Sequence, residues 1–150
     1  MKIETYQRCA EKIDAMLENE NDTIVKMATV SAVLHDEFDA FYWTGFYRLL
    51  EGNLIVGPYQ GTPACMHIKM GKGVCGTAAE TQTTQVVQDV HLFPGHIACD
   101  PLSRSEIVVP VFDTEQELIA VLDVDSSQLS TFDEVDKEWL EKIIKKVFTA

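Results

Sequence analysis

Between Gly71 and Arg104 the chain runs through Gly71, Gly73, Gly76, Pro94, Gly95 and Pro101, and this stretch constrains the fold more than any other. So many breaking residues leave room only for a short helix around Thr77 to Glu80 and a short strand at Gln85 to Val87. The framework must therefore come from the segments on either side. Long irregular stretches inside compact domains are mostly functional. This one carries Cys75 in G-K-G-V-C-G-T-A-A-E and Cys99 in V-H-L-F-P-G-H-I-A-C-D, and Cys65 stands just before it in G-P-Y-Q-G-T-P-A-C.

On the N-terminal side, Ile3, Tyr6, Cys9/Ala10, Ile13 and Met16/Leu17 recur at helical spacing, which makes Cys9 a core residue rather than a reactive one. A second helical face follows in Ile24, Met27/Ala28, Ser31, Leu34 and Phe38, with Asn21, Asp22 and Thr23 available as caps. From Phe41 the residues turn aromatic and β-branched. F-Y-W-T-G-F-Y-R-L-L and L-I-V-G-P-Y-Q, joined through Glu51-Gly52-Asn53, read as an antiparallel hairpin. A third strand is expected at Met66 to Met70. Beyond the irregular middle, E-I-V-V-P-V-F-D and E-L-I-A-V-L-D-V-D-S form two further strands, Pro110 marking an edge or a bulge. A last helix opens at Thr131-Phe132-Asp133-Glu134, where the spacing suits a capping box. The order predicts an α+β domain, residues 1–150, with a central antiparallel sheet, helices on one face and a loop-covered ligand cavity on the other.

Composition excludes several roles. With 46% hydrophobic and 24% charged residues the chain is globular, and a formal net charge of −12 opposes any nucleic-acid surface, which needs clustered Lys and Arg. No apolar run approaches the roughly 20 residues that span a bilayer, and the N-terminus lacks a signal-peptide core. A cytoplasmic chain with no membrane contact is expected, where disulfides are mostly transient and catalytic. Oligomeric state is left open, a homodimer included.

Three groups of residues could carry chemistry. Cys65, Cys75 and Cys99 supply the parts of a thiol cycle, because a second thiol converts a sulfenic acid into a reducible disulfide. Spacing alone does not say which of them meet. The alternative, a metal held by Cys65, His67, Cys75, His91, His96 and Cys99, lacks the C-x₂-C spacing of structural zinc, and no metal or cofactor is expected. Glu106 opens one strand, and Asp123 and Asp125, two apart, share a face of the next. Phe41, Trp43 and Tyr47 share a face of the first strand, with Gly45 leaving space between them.

G-K-G-V-C-G-T-A-A-E, D-V-H-L-F-P-G-H-I-A-C-D, S-E-I-V-V-P-V and V-L-D-V-D-S, in this order, together resemble the free methionine-(R)-sulfoxide reductases, which are single GAF domains. The resemblance runs from about Phe41 to the final helix. It implies a GAF fold, a cavity for free methionine-(R)-sulfoxide and a cycle completed by thioredoxin. It also implies Cys99 as nucleophile, Cys65 as the principal resolving cysteine and Cys75 as a substrate-side or secondary resolving thiol. Glu106 is the implied proton donor, Asp123 and Asp125 hold the substrate ammonium, Trp43 and Tyr47 form an aromatic wall, and the loop containing Ile97 and Ala98 receives the carboxylate. A non-catalytic GAF sensor of ligand or redox state is the competing reading.

Overall fold

The structure is a computed structural model that describes residues 1–149. Two helices lead, α1 (Lys2–Met16) and α2 (Thr23–Glu37), followed by strands β1 (Trp43–Leu50), β2 (Asn53–Gln60) and β3 (His67–Lys69). Helix α3 (Gly73–Thr81), strand β4 (Gln85–Val87) and a single 3-10 turn at Val90–Leu92 interrupt the sheet sequence. Strands β5 (Ser105–Phe112) and β6 (Leu118–Ser126) and helix α4 (Glu134–Thr149) complete it. The strands form one antiparallel sheet in the order β3-β2-β1-β6-β5-β4.

Local sequence explains these elements. Asp22 caps α2 by accepting hydrogen bonds from the Ile24 and Val25 N–H groups, and the β1–β2 turn places Glu51 and Gly52 both at positive φ, the geometry that two-residue hairpins favour. Strand β4 pairs only with Glu106–Val108, so β5 is open on that side from Val109 onward, and the β5–β6 ladder shifts register between Val111 and Phe112. Pro110 thus lies beside both an open edge and an irregularity, as its missing N–H requires.

The sheet separates two cores. Helices α1, α2 and α4 bury Tyr6, Cys9, Ile13, Met27, Leu34, Leu140 and Ile143 against Phe46, Ile107, Val109, Val111, Ala120, Leu122 and Val124. Removing such a side chain from water stabilises the fold by about 1.5–3 kcal/mol. On the opposite face, α3 packs over Trp43, Tyr47, Leu54, Val108 and Val121. Strand alternation sends neighbouring residues of β5 and β6 to opposite cores.

Four expectations need correction. The second face is covered by a helix as well as by loops: α3 begins at Gly73, before the predicted Thr77, and carries Cys75 in its first turn. The glycines around Cys75 serve a tight helix entry, and a Cβ at Gly76 would press into the Lys69 carbonyl. Phe41 precedes β1, lies in the helix-side core and stacks on Phe38, so it does not share the face of Trp43 and Tyr47. Met66 lies outside β3 and is 70% exposed. Helix α4 does start where predicted, but the reciprocal cap pairs Asp133 with Asp136. The Asp133 carboxylate accepts from the Val135 N–H at 2.9 Å, and Asp136 accepts from the Asp133 N–H at 2.9 Å.

Candidate functional site

A cavity open to solvent lies on the α3 side of the sheet. The sheet brings Trp43 and Tyr47 from β1, Glu106 from β5, and Asp123 and Asp125 from β6 into its wall; α3 adds Cys75, and the loop before β5 adds Cys99 and Ser103. Register explains the acidic cluster. Glu106 stands directly opposite Asp125, while Asp123 lies between Gly45 on one side and Val108 on the other. Gly45 is required there: a Cβ would overlap Tyr59, which stacks on Trp43 with ring centroids 5.0 Å apart.

Three carboxyl groups converge, those of Glu106 and Asp123 buried and that of Asp125 half-buried. Burial, and then the charges of Asp123 and Asp125, hold the Glu106 carboxyl well above the ordinary range. Asp125 is raised well above it, by burial first and Asp123 second, and accepts a hydrogen bond from Ser103 Oγ at 3.2 Å. Burial raises Asp123 too, against the pull of hydrogen bonds with Glu106 and Cys75. Protons retained above the ordinary carboxyl range turn like-charge contacts into hydrogen bonds. Asp123 Oδ1 is still left buried with no partner among the described residues, in a side chain that belongs to the cavity wall.

The thiols divide sharply. Cys65 and Cys99 are joined in a disulfide whose Cys99 end lines the cavity, with Cα atoms 5.3 Å apart, whereas Cys75 is free and buried, its Sγ 4.0 Å from Glu106 Oε2. Burial, and then Asp123, Glu106 and Asp125, push the Cys75 thiol well up, so it resists ionisation. The loop bearing Cys65 is fixed to the aromatic wall: Tyr47 OH donates to the Cys65 carbonyl at 3.0 Å and Trp43 Nε1 to the Thr62 carbonyl at 2.9 Å. Thr62 Oγ1 also donates to Asp100 Oδ2 at 2.6 Å, tying that loop to the residue after Cys99. The chemistry available is a dithiol–disulfide couple beside a protonated carboxyl and an unpartnered carboxylate oxygen.

The GAF domain family model matches residues 27–147. The free methionine-R-sulfoxide reductase of Escherichia coli is 38% identical over 146 residues, spanning 97% of this chain and 88% of the relative. The chain belongs to the free methionine-R-sulfoxide reductases. Among solved structures, the reduced form of the Staphylococcus aureus fRMsr superposes with a TM-score of 0.92 at 48% identity, covering 97% of this chain and 95% of that one. The Neisseria meningitidis free methionine-R-sulfoxide reductase, in complex with its substrate, gives 0.93 at 40% identity, covering 98% and 88%.

In this member of the free methionine-R-sulfoxide reductases, Trp43, Tyr47, Cys75, Cys99, Glu106, Asp123, Asp125 and Ile97 all border one cavity. Cys65 reaches it through its disulfide. Ala98 is exposed and lies off the wall. In the loop expected to receive a carboxylate, the His96 and Cys99 N–H groups are committed to the Phe93 and Ile97 carbonyls. Those of Ile97 and Ala98 have no partner among the described residues. Sequence reasoning missed Ser103, Lys72, Thr62 and Tyr59. Ser103 and Lys72 carried no distinguishing pattern, whereas Gly45 facing a strand with aromatics pointed toward a bulky neighbour such as Tyr59. The cysteine–histidine set weighed for zinc is not assembled: two of its thiols form the disulfide, and His67 and His91 are exposed. Cys75, Glu106 and Asp123 can each offer one atom, all within 4.8 Å of one another. Among the described residues no helix is long and apolar enough to cross a membrane.

Proposed function

We propose that the 150 residues act as one catalytic domain that reduces free methionine-(R)-sulfoxide to methionine, Cys99 attacking sulfur, Cys65 resolving and thioredoxin resetting the couple. The observation that carries this reading is the Cys65–Cys99 disulfide lying over a cavity that holds a proton-retaining Glu106 beside the orphaned Asp123 oxygen. The substrate ammonium pairs with Asp123 and Asp125, Trp43 and Tyr47 contact the methyl and sulfur, and the free N–H of Ile97 is offered to the carboxylate. Attack by the Cys99 thiolate forms an S–S bond to the sulfoxide sulfur while Glu106 delivers a proton to its oxygen. Hydroxyl transfer to Cys99 releases methionine and leaves Cys99 as a sulfenic acid. The Cys65 thiol then displaces that hydroxyl as water, closing the disulfide, and Glu106 recovers its proton from solvent.

The raised Cys75 pKa supports Cys99 over Cys75 as nucleophile, since the thiolate is the attacking species. A peptide-bound substrate would lack the ammonium, leaving Asp123 unpaired in the cavity at about 1–3 kcal/mol or more. The R preference rests on the relatives, whose names carry it. The test is single-turnover release of methionine from resolved sulfoxide epimers by the reduced protein. Cys99→Ser should release none, and Cys65→Ser should release one equivalent but fail to recycle with thioredoxin. A stoichiometric burst from Cys99→Ser would move the nucleophile elsewhere.

A further inference from the structure

The disulfide has two unlike sides. Cys99 forms part of the cavity wall and Cys65 does not; Cys65 sits where the chain enters β3, the outermost strand of the sheet. The backbone here pairs with β2 on one side, the Val56 N–H donating to the Met66 carbonyl at 2.9 Å, and among the described residues no strand covers the other side. Next to Cys65, Met66 is 70% exposed, and His67 and Lys69 also face solvent. Charge singles out the same place. In a chain of net charge −12, no Asp or Glu occurs between Glu51 and Glu80, while Lys69 and Lys72 both fall within that span.

We infer that the edge formed by exposed Met66, His67 and Lys69 beside the half-buried Cys65 is the docking surface for an acidic dithiol reductant protein, and that its thiolate attacks the Cys65 sulfur. This deepens the catalytic reading and rests on Cys65 and Cys99 cycling between dithiol and disulfide. Attack forms a mixed disulfide between the partner and Cys65 and breaks the Cys65–Cys99 bond, whose electron pair leaves on Cys99. The partner's second thiol then attacks its own bonded sulfur, releasing Cys65 as a thiolate and carrying away the disulfide. The direction of attack has a chemical benefit: the leaving group is the thiolate that lines the cavity, so reduction regenerates the nucleophile in place. An extended segment of the partner can pair beside His67 at the edge of β3, where the Lys69 carbonyl already accepts from the Lys72 N–H; Met66 supplies apolar contact, and the Lys69 ammonium is a cation for an acidic protein.

The test uses oxidised full-length protein and a thioredoxin whose second active-site cysteine is replaced by serine. After acid quenching and alkylation, peptide mapping should find the thioredoxin sulfur on Cys65 and the alkyl group on Cys99; an adduct at Cys99 overturns the proposal. The double variant Met66→Glu, Lys69→Glu should raise the apparent KM for thioredoxin about tenfold, with turnover driven by dithiothreitol unchanged. An unchanged KM, or an equal loss with dithiothreitol, also overturns the docking surface. Failure of reduced wild type to release methionine would instead remove the catalytic reading and leave the adduct position standing.

Discussion

Glu106 is the residue on which the chemistry turns, because its surroundings decide what form it takes before any substrate arrives. Opposite Asp125 and beside Asp123, an ionised Glu106 would add like charge to a buried carboxyl cluster, so its carboxyl holds its proton above the ordinary range. Glu106→Gln retains shape and a hydrogen-bond donor but has no proton to give. The single-turnover rate should fall about 10²–10⁴-fold, with methionine affinity changed far less. Asp125→Asn should do the reverse, weakening the ligand more than the chemical step. Comparing the two variants by rapid quench and by calorimetry checks the division of roles, and a near wild-type rate for Glu106→Gln would assign the proton to another group.

At the scale of elements, the helix layer is closed by a contact that joins the two ends of the chain. Tyr6 OH on α1 donates to Asp136 Oδ1 on α4 at 2.5 Å, and Lys2 Nζ reaches Asp136 Oδ2 at 2.7 Å. Tyr6→Phe should therefore cost about 1.5–3 kcal/mol in urea unfolding, the range for hydrogen bonds to charged groups. Activity of the folded variant should stay unchanged, since the sheet stands between this contact and the cavity. Asp136 also shows where reading the sequence stops. The spacing Thr131 to Glu134 satisfied the capping pattern, but the box formed two residues later because Asp133 and Asp136 offer the same reciprocal geometry and Asp136 gains Tyr6 and Lys2 as well. Helix periodicity and strand alternation were legible because they are local. Burial of Cys75 was not, since a glycine-flanked cysteine looks the same in a loop as in a helix packed tightly on its own entry turn. Glu106, Asp123 and Asp125 could be nominated from strand parity, yet their meeting depends on the β5–β6 register, which no single strand encodes. Ser103 and Thr62 depend on loop paths and left no trace in pattern.

For the whole molecule, the acidic cavity is a stability cost that pH exposes. The folded chain gives up protons from Glu106, Asp123 and Asp125 only above the ordinary values of 4.5 for Glu and 3.8 for Asp at which the unfolded chain surrenders them. A raised folded-state carboxyl pKa means the native state binds more protons, so stability falls as pH climbs from those values through the folded ones. Thermal unfolding of ligand-free protein should show wild type losing Tm relative to Glu106→Gln as pH is raised toward neutrality. A constant gap between the two curves would mean that Glu106 ionises normally. The nine residues of β6 have a consequence of another kind. Leu122 and Val124 are addressed to the helices, and Val121, Asp123 and Asp125 to the ligand side, so two texts are written on one line in alternate letters. Replacing a letter edits one text and leaves the other readable. Adding or deleting one shifts the frame of both, setting carboxylates among the helices and leucine in the pocket. Such a strand can diverge by spelling but not by length.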